Sequence, residues 1–172
     1  MNQDRQSATP NPRFFHPAPA GSVAHDLRMA HALEESLADE LTSVASASYR
    51  SMLCESCDRR LSEILLAHMQ DGILHFRLLG EAILALGGNP SLRTQVRVET
   101  LHRPDGRYGC EGLLQALLAQ ALRDKRRSID RYQTLLGRSE DRVVRSLLLW
   151  LIGEEQRHAA ELEAFQNERE EY

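Results

Sequence analysis

At 172 residues the chain has the length of one ordinary domain with a full core. Its 21 Lys and Arg against 25 Asp and Glu leave a net charge of −4, which argues against the basic footprint of a nucleic-acid surface. With 42% hydrophobic but only 5% aromatic residues, the composition favours an all-helical protein built on Leu and Ala.

Four of the six prolines (Pro10, Pro12, Pro17 and Pro19) fall in the first twenty residues, so residues 1–21 read as a disordered tail. Phe14, Phe15 and His16 within it read as disordered decoration, with docking on a partner as the alternative. No apolar run there or later suits a secretory signal or a membrane span, so the expected compartment is the cytoplasm and no membrane partner is expected. Three cysteines are an odd number and do not suggest a disulfide framework.

Helical periodicity then marks four long segments, together a domain over 22–167. The first runs from about Ser22, read as its N-cap, to about Glu55. The second follows from about Asp58 to Leu86 and stops at Gly87-Gly88-Asn89-Pro90. The third covers about Glu111 to Leu136 and ends at Gly137. The fourth starts after Ser139, read as its N-cap, and continues to about Asn167, with residues 168–172 fraying. Short links make helices one and two, and three and four, antiparallel hairpins. Residues 87–110 form a crossover long enough to travel the bundle, which makes the second and third helices parallel. A weak strand signal lies near Gln95 to Glu99.

The apolar stripes carry an anomaly. The fourth helix reads Val144, Leu148, Leu151, Glu155, His158, Leu162, Phe165 at steps of three and four. The second reads Leu61, Leu65, His68, Gly72, His75, Leu79, Ala82, Leu86. The first gives Ala30, Leu33, Leu37, Glu40, Val44, Ala47, Ser51, and the third Leu114, Leu118, Ala121, Lys125, Ser128, Tyr132, Leu135. Each helix aims a polar group or a gap at the interior near its middle. Buried charges cost several kcal/mol unless paired or bound to a metal, so a metal or an ion-pair network is expected there. Glu40 precedes His75, and Lys125 precedes His158, by similar intervals, which suggests a duplicated two-helix unit.

Three stretches then resemble the rubrerythrin and bacterioferritin branch of the ferritin-like superfamily. They are His75-Phe-Arg-Leu-Leu-Gly-Glu-Ala-Ile-Leu-Ala-Leu-Gly-Gly-Asn-Pro90, the E-x-x-H of Glu155-Gln-Arg-His158, and Lys125 with Tyr132, where the family has Glu with Tyr. The resemblance spans about residues 26–166 and implies a ferritin-like four-helix bundle. It also implies a di-iron or di-manganese site with one Glu from each of the first and third helices and E-x-x-H from the second and fourth.

Glu40, His75, Glu155 and His158 match four of those ligands and are the expected metal residues. Gly72 and Lys125 stand where two carboxylates belong, and Ala47 where a Tyr is usual. The expected cofactor state is therefore none, or a single Fe, Mn or Zn ion, rather than an intact di-metal centre. The Lys125 ammonium, projecting towards Glu40 and Glu155, is expected to neutralise them unless it snorkels into solvent.

Asp71 and Asp124, beside the vacant positions, read as solvated helix residues, with a turn of the helix that brings either inward as a substitute ligand the alternative, and His68 reads as a hydrogen-bonded core histidine. Cys54 and Cys57 lie at the first turn, and the topology brings Cys110 to the same end. A thiol cluster there is the alternative to three reduced, inert cysteines. The basic run Arg123, Lys125, Arg126, Arg127, Arg131 reads, Lys125 apart, as a solvated or subunit-facing surface.

The function expected first is a divergent, catalytically impaired rubrerythrin-like protein acting in binding or structure. The alternative that the resemblance implies is a metal-dependent oxidoreductase in iron or peroxide handling. Leucines exposed on the third and fourth helices would allow a homodimer.

Overall fold

The computed structural model describes residues 26–91 and 109–170. It contains α1 (Leu27–Cys54), α2 (Arg59–Ala85), α3 (Cys110–Arg138) and α4 (Arg142–Glu170). The expected tail, the strand near 95–99 and residues 171–172 lie outside the described residues, while α4 continues past Asn167 to Glu170, where fraying was expected.

Two helix starts differ from the sequence reading, and for the same reason. Asp26, not Ser22, caps α1 by accepting from the Met29 backbone N–H at 3.0 Å. At α4, Asp141 accepts from the N–H groups of Val143 and Val144, while Ser139 ends α3 as its C-cap. An Asp cap also puts negative charge at the positive end of the helix dipole. Asp58 caps α2 as expected, and α2 closes on Gly87, whose φ of 83° suits glycine. The Gly88 and Gly87 N–H groups bond back to Ile83 and Leu84, satisfying the last carbonyls of the helix.

The helices form a ferritin-like four-helix bundle. α1 packs on α2 and α3, and α4 on α3 and α2, so α1/α4 and α2/α3 are the diagonals. Cys57, before α2, lies 5.3 Å Cα to Cα from Cys110, the first residue of α3. The two helices thus start at one end and run parallel, as the long crossover requires.

All the residues on the four stripes are buried except Val44 and Ser128, which are half-buried. They build two apolar clusters. One gathers Leu33, Leu37, Leu79, Ile83, Leu148 and Leu151; the other gathers Leu61, Leu65, Leu114, Leu117, Leu162 and Phe165. The polar residues occupy the layer between them.

The exposed large apolar residues lie on α1 (Leu27, Met52), α2 (Leu66, Ile73, Leu84) and α4 (Val143, Leu149). α3 contributes none among the described residues, contrary to expectation, because its leucines at 113, 114, 117, 118, 122 and 135 all turn inward. No described helix is long and apolar enough to cross a membrane.

Candidate metal centre

Each helix delivers its mid-stripe residue to the polar layer. Glu40, His75, Glu155 and His158 are all at most 2% exposed. Glu40, His75 and Glu155 bring one donor atom each to within 4.8 Å of one another. His75 Nδ1 lies 3.4 Å from Glu155 Oε1 and 3.7 Å from Glu40 Oε2. His158 sits at the edge of this group. Its Nδ1 is 3.6 Å from Glu155 Oε1, but its Nε2 turns to the flank of the bundle, 2.9 Å from Asp71 Oδ2.

Lys125 occupies the α3 side of the centre. It is buried, with Nζ 3.0 Å from Glu155 Oε2 and 3.4 Å from Oε1. The long side chain therefore points inward and pairs with a carboxylate instead of snorkelling. Tyr132, two turns on, donates its phenol O–H to Glu40 Oε1. Burial first, then the Glu40 charge, raises the phenol well above its ordinary pKa, so it stays a donor.

Gly72 faces the same space from α2. A Cβ there would stand 3.7 Å from Glu40 Oε2 but 2.9 Å from Val44 Cγ2. Part of the space left by the missing side chain is thus taken by Val44, and Lys125 does not fill it alone.

The electrostatics follow from burial and pairing. Burial disfavours the His75 cation, yet Glu155 and Glu40 outweigh it and raise its pKa from 6.5 to about 9. That direction favours the protonated ring, a second counter-charge beside Lys125. Burial likewise opposes ionisation of Glu155, but Lys125, His158 and His75 hold it well below the ordinary carboxylate range. Glu155 thus lies against both His75 and Lys125, and Glu40 against His75.

A second polar group on the flank joins α2 to α4. Asp71 accepts from Arg157 Nη2 at 2.8 Å as well as facing His158, and its pKa falls to about 2, chiefly through the His158 hydrogen bond. Asp71 is therefore only partly solvated: it orients His158. Burial lowers the pKa of His68 to about 2, with His158 and Lys125 adding to the effect. The neutral ring stacks on His158 with centroids 4.0 Å apart, and its Nε2 lies 3.0 Å from Glu161 Oε2. Asp124 is likewise engaged, by Arg50.

Of the cysteines, Cys57 and Cys110 are joined in a disulfide and Cys54 is free and buried, which corrects the expectation of three reduced thiols. The parallel start of α2 and α3 puts the two within bonding reach.

Sequence reasoning missed Asp71 and Glu161 as partners of the histidines. The signal lay in register: α4 runs antiparallel to α2, so each step forward from 68 to 71 to 75 matches a step back from 161 to 158 to 155.

A four-helix bundle holding buried carboxylates and imidazoles between two apolar clusters defines the ferritin type. The family profile described as Ferritin, ferritin-like domain, matches residues 30–170, and the chain belongs to that family. Among solved structures it is similar to the bacterioferritin of Rhodobacter capsulatus, described with a metal-free dinuclear site and haem iron. The two share 20% identity over 81% of this chain and 83% of that chain, with a TM-score of 0.63, a likeness of fold. No curated protein sequence matches the chain.

Proposed function

We propose that this protein is a catalytically impaired ferritin-fold protein, acting in binding or structure, whose centre is balanced by its own side chains rather than by two metal ions. The observation that carries this reading is Lys125, whose ammonium lies 3.0 Å from Glu155 in the place of a metal-bridging carboxylate. Two ions held close together need bridging carboxylates to offset their repulsion, and Gly72 and Lys125 supply neither. The residues present do not fit a dinuclear centre. With Lys125 and the His75 imidazolium facing Glu40 and Glu155, the layer is neutral without any ion.

A second reading, one Fe, Mn or Zn ion held by Glu40, His75 and Glu155, is favoured by unsatisfied atoms. Glu40 Oε2 and both ring nitrogens of His75 are buried without a hydrogen-bond partner among the described residues. Such an ion would supply Lewis-acid or redox chemistry in iron or peroxide handling. Its entry requires His75 to lose its proton and Lys125 to leave Glu155, so protons and the lysine compete with it.

The test is oxidation of Fe(II) in air with and without the protein. The account expects no acceleration over the protein-free rate; multiple turnovers per chain would contradict it.

A further inference from the structure

We infer that the groove between α1 and α3 is a binding site for a small oxyanion of the phosphate class, separate from the polar centre. A cavity of about 130 Å³ opens there, with Tyr132 among its walls. It exists because α1 presents small residues to α3: Ser36, Ser43 and Ser46 line it where larger side chains would close the bundle.

The cavity is lined for an anion. Arg50, 6% exposed, reaches it from α1, and its guanidinium bonds to Asp124 through Nη2. A guanidinium carries a fork of several N–H donors, and burial makes each unmet donor costly. Asp124 takes one of these donors, through Nη2. Ser36 Oγ, in the same wall, is buried and has no hydrogen-bond partner among the described residues. Arg127 lines the cavity from α3, is exposed, and makes no ion pair among the described residues.

Charge settles the sign. Asp124 offsets Arg50 and Asp39 offsets Arg131, both at the cavity wall, so Arg127 leaves the site net positive. Guanidinium forks match the paired oxygens of an oxyanion, and serine hydroxyls donate to the rest. The volume lies far below the ~300 Å³ at which drug-sized ligand pockets begin, which suits a small ion rather than a drug-sized ligand. An acidic protein segment would spread over the outer arginines of α3 without entering the cavity.

The test titrates inorganic phosphate into the full-length protein at fixed ionic strength, by calorimetry and by thermal melting, with chloride as the reference. Saturable heat and a rising Tm with phosphate alone are expected. Arg127→Gln, an exposed change that spares the fold, should weaken phosphate binding about tenfold, the loss of one charge-assisted contact. Arg126→Gln is the control: Arg126 pairs with Glu163 and is not part of the cavity lining. It should leave the affinity unchanged. Phosphate acting no better than chloride, or Arg126→Gln weakening binding as much as Arg127→Gln, overturns the site. The second result would mean diffuse attraction to the basic face of α3.

Discussion

Replacing Lys125 with methionine keeps an unbranched stem of similar volume and deletes the ammonium that sits 3.0 Å from Glu155. Glu155 is 1% exposed, so the lost charge cannot be replaced by water. Removing one partner of a buried pair costs roughly 3–5 kcal/mol, and the His75 imidazolium that still faces Glu155 places the loss near the lower end, about 3 kcal/mol. For a domain of this size that corresponds to a fall in Tm of about 6–12 °C. The assay is a circular-dichroism melt at pH 7 with chelator present, so that no metal takes the place of the lysine. A double-mutant cycle with Glu155→Gln isolates the pair: the Glu155 change should cost less in the Lys125→Met background than in the native one. A Tm within 2 °C or so of the native value, or full additivity in the cycle, would refute the claim that Lys125 balances the centre.

Four further outcomes follow from the structure. Gly72→Ala should cost about 1 kcal/mol net, because the new Cβ meets Val44 Cγ2 at 2.9 Å and overpacking outweighs the gain in helix propensity. Val44→Ala should reverse its sign, as read by denaturant melts; stabilisation by Gly72→Ala alone would show that Val44 yields freely. His75 keeps its proton up to about pH 9 in the folded chain against 6.5 when free, so its contribution is full below 6.5 and lost as pH rises through 9. The Tm of the metal-free protein should fall over that window, and His75→Gln should flatten the fall. Reducing the Cys57–Cys110 disulfide, which closes a sequence separation of 53 residues, should cost up to about 4 kcal/mol by loop entropy. Native protein should meanwhile show no thiol reactive to iodoacetamide, since burial pushes Cys54 up to about 11.

Periodicity alone placed the bundle. Leu148, Leu151 and Leu162 repeat at helical spacing, and the same spacing forces Glu155 and His158 onto the inward stripe, so the polar layer was readable without coordinates. Link lengths supplied the parallel arrangement of α2 and α3. What escaped the sequence were choices between near neighbours. Asp26 and Ser22, or Asp141 and Ser139, are all acceptable caps by type, and only the packed helix decides which oxygen meets the free N–H groups. Asp71 lies off the stripe of α2 by one residue. It reaches His158 because the antiparallel neighbour α4 brings Arg157 and His158 to that flank, a contact that no pattern within one helix encodes. The raised pKa of His75 was likewise hidden, because it depends on two carboxylates from two other helices.

The central claim, that Lys125 and His75 leave no place for a second metal ion, is tested most directly by counting ions. Metal-free protein is dialysed against excess Fe(II) without oxygen, then Mn(II) and Zn(II) in parallel, and the bound metal per chain is measured by elemental analysis. The account predicts at most one ion per chain for each metal, and a higher occupancy for Lys125→Glu, which returns a carboxylate to α3. Two tightly held ions per chain in the native protein would contradict it.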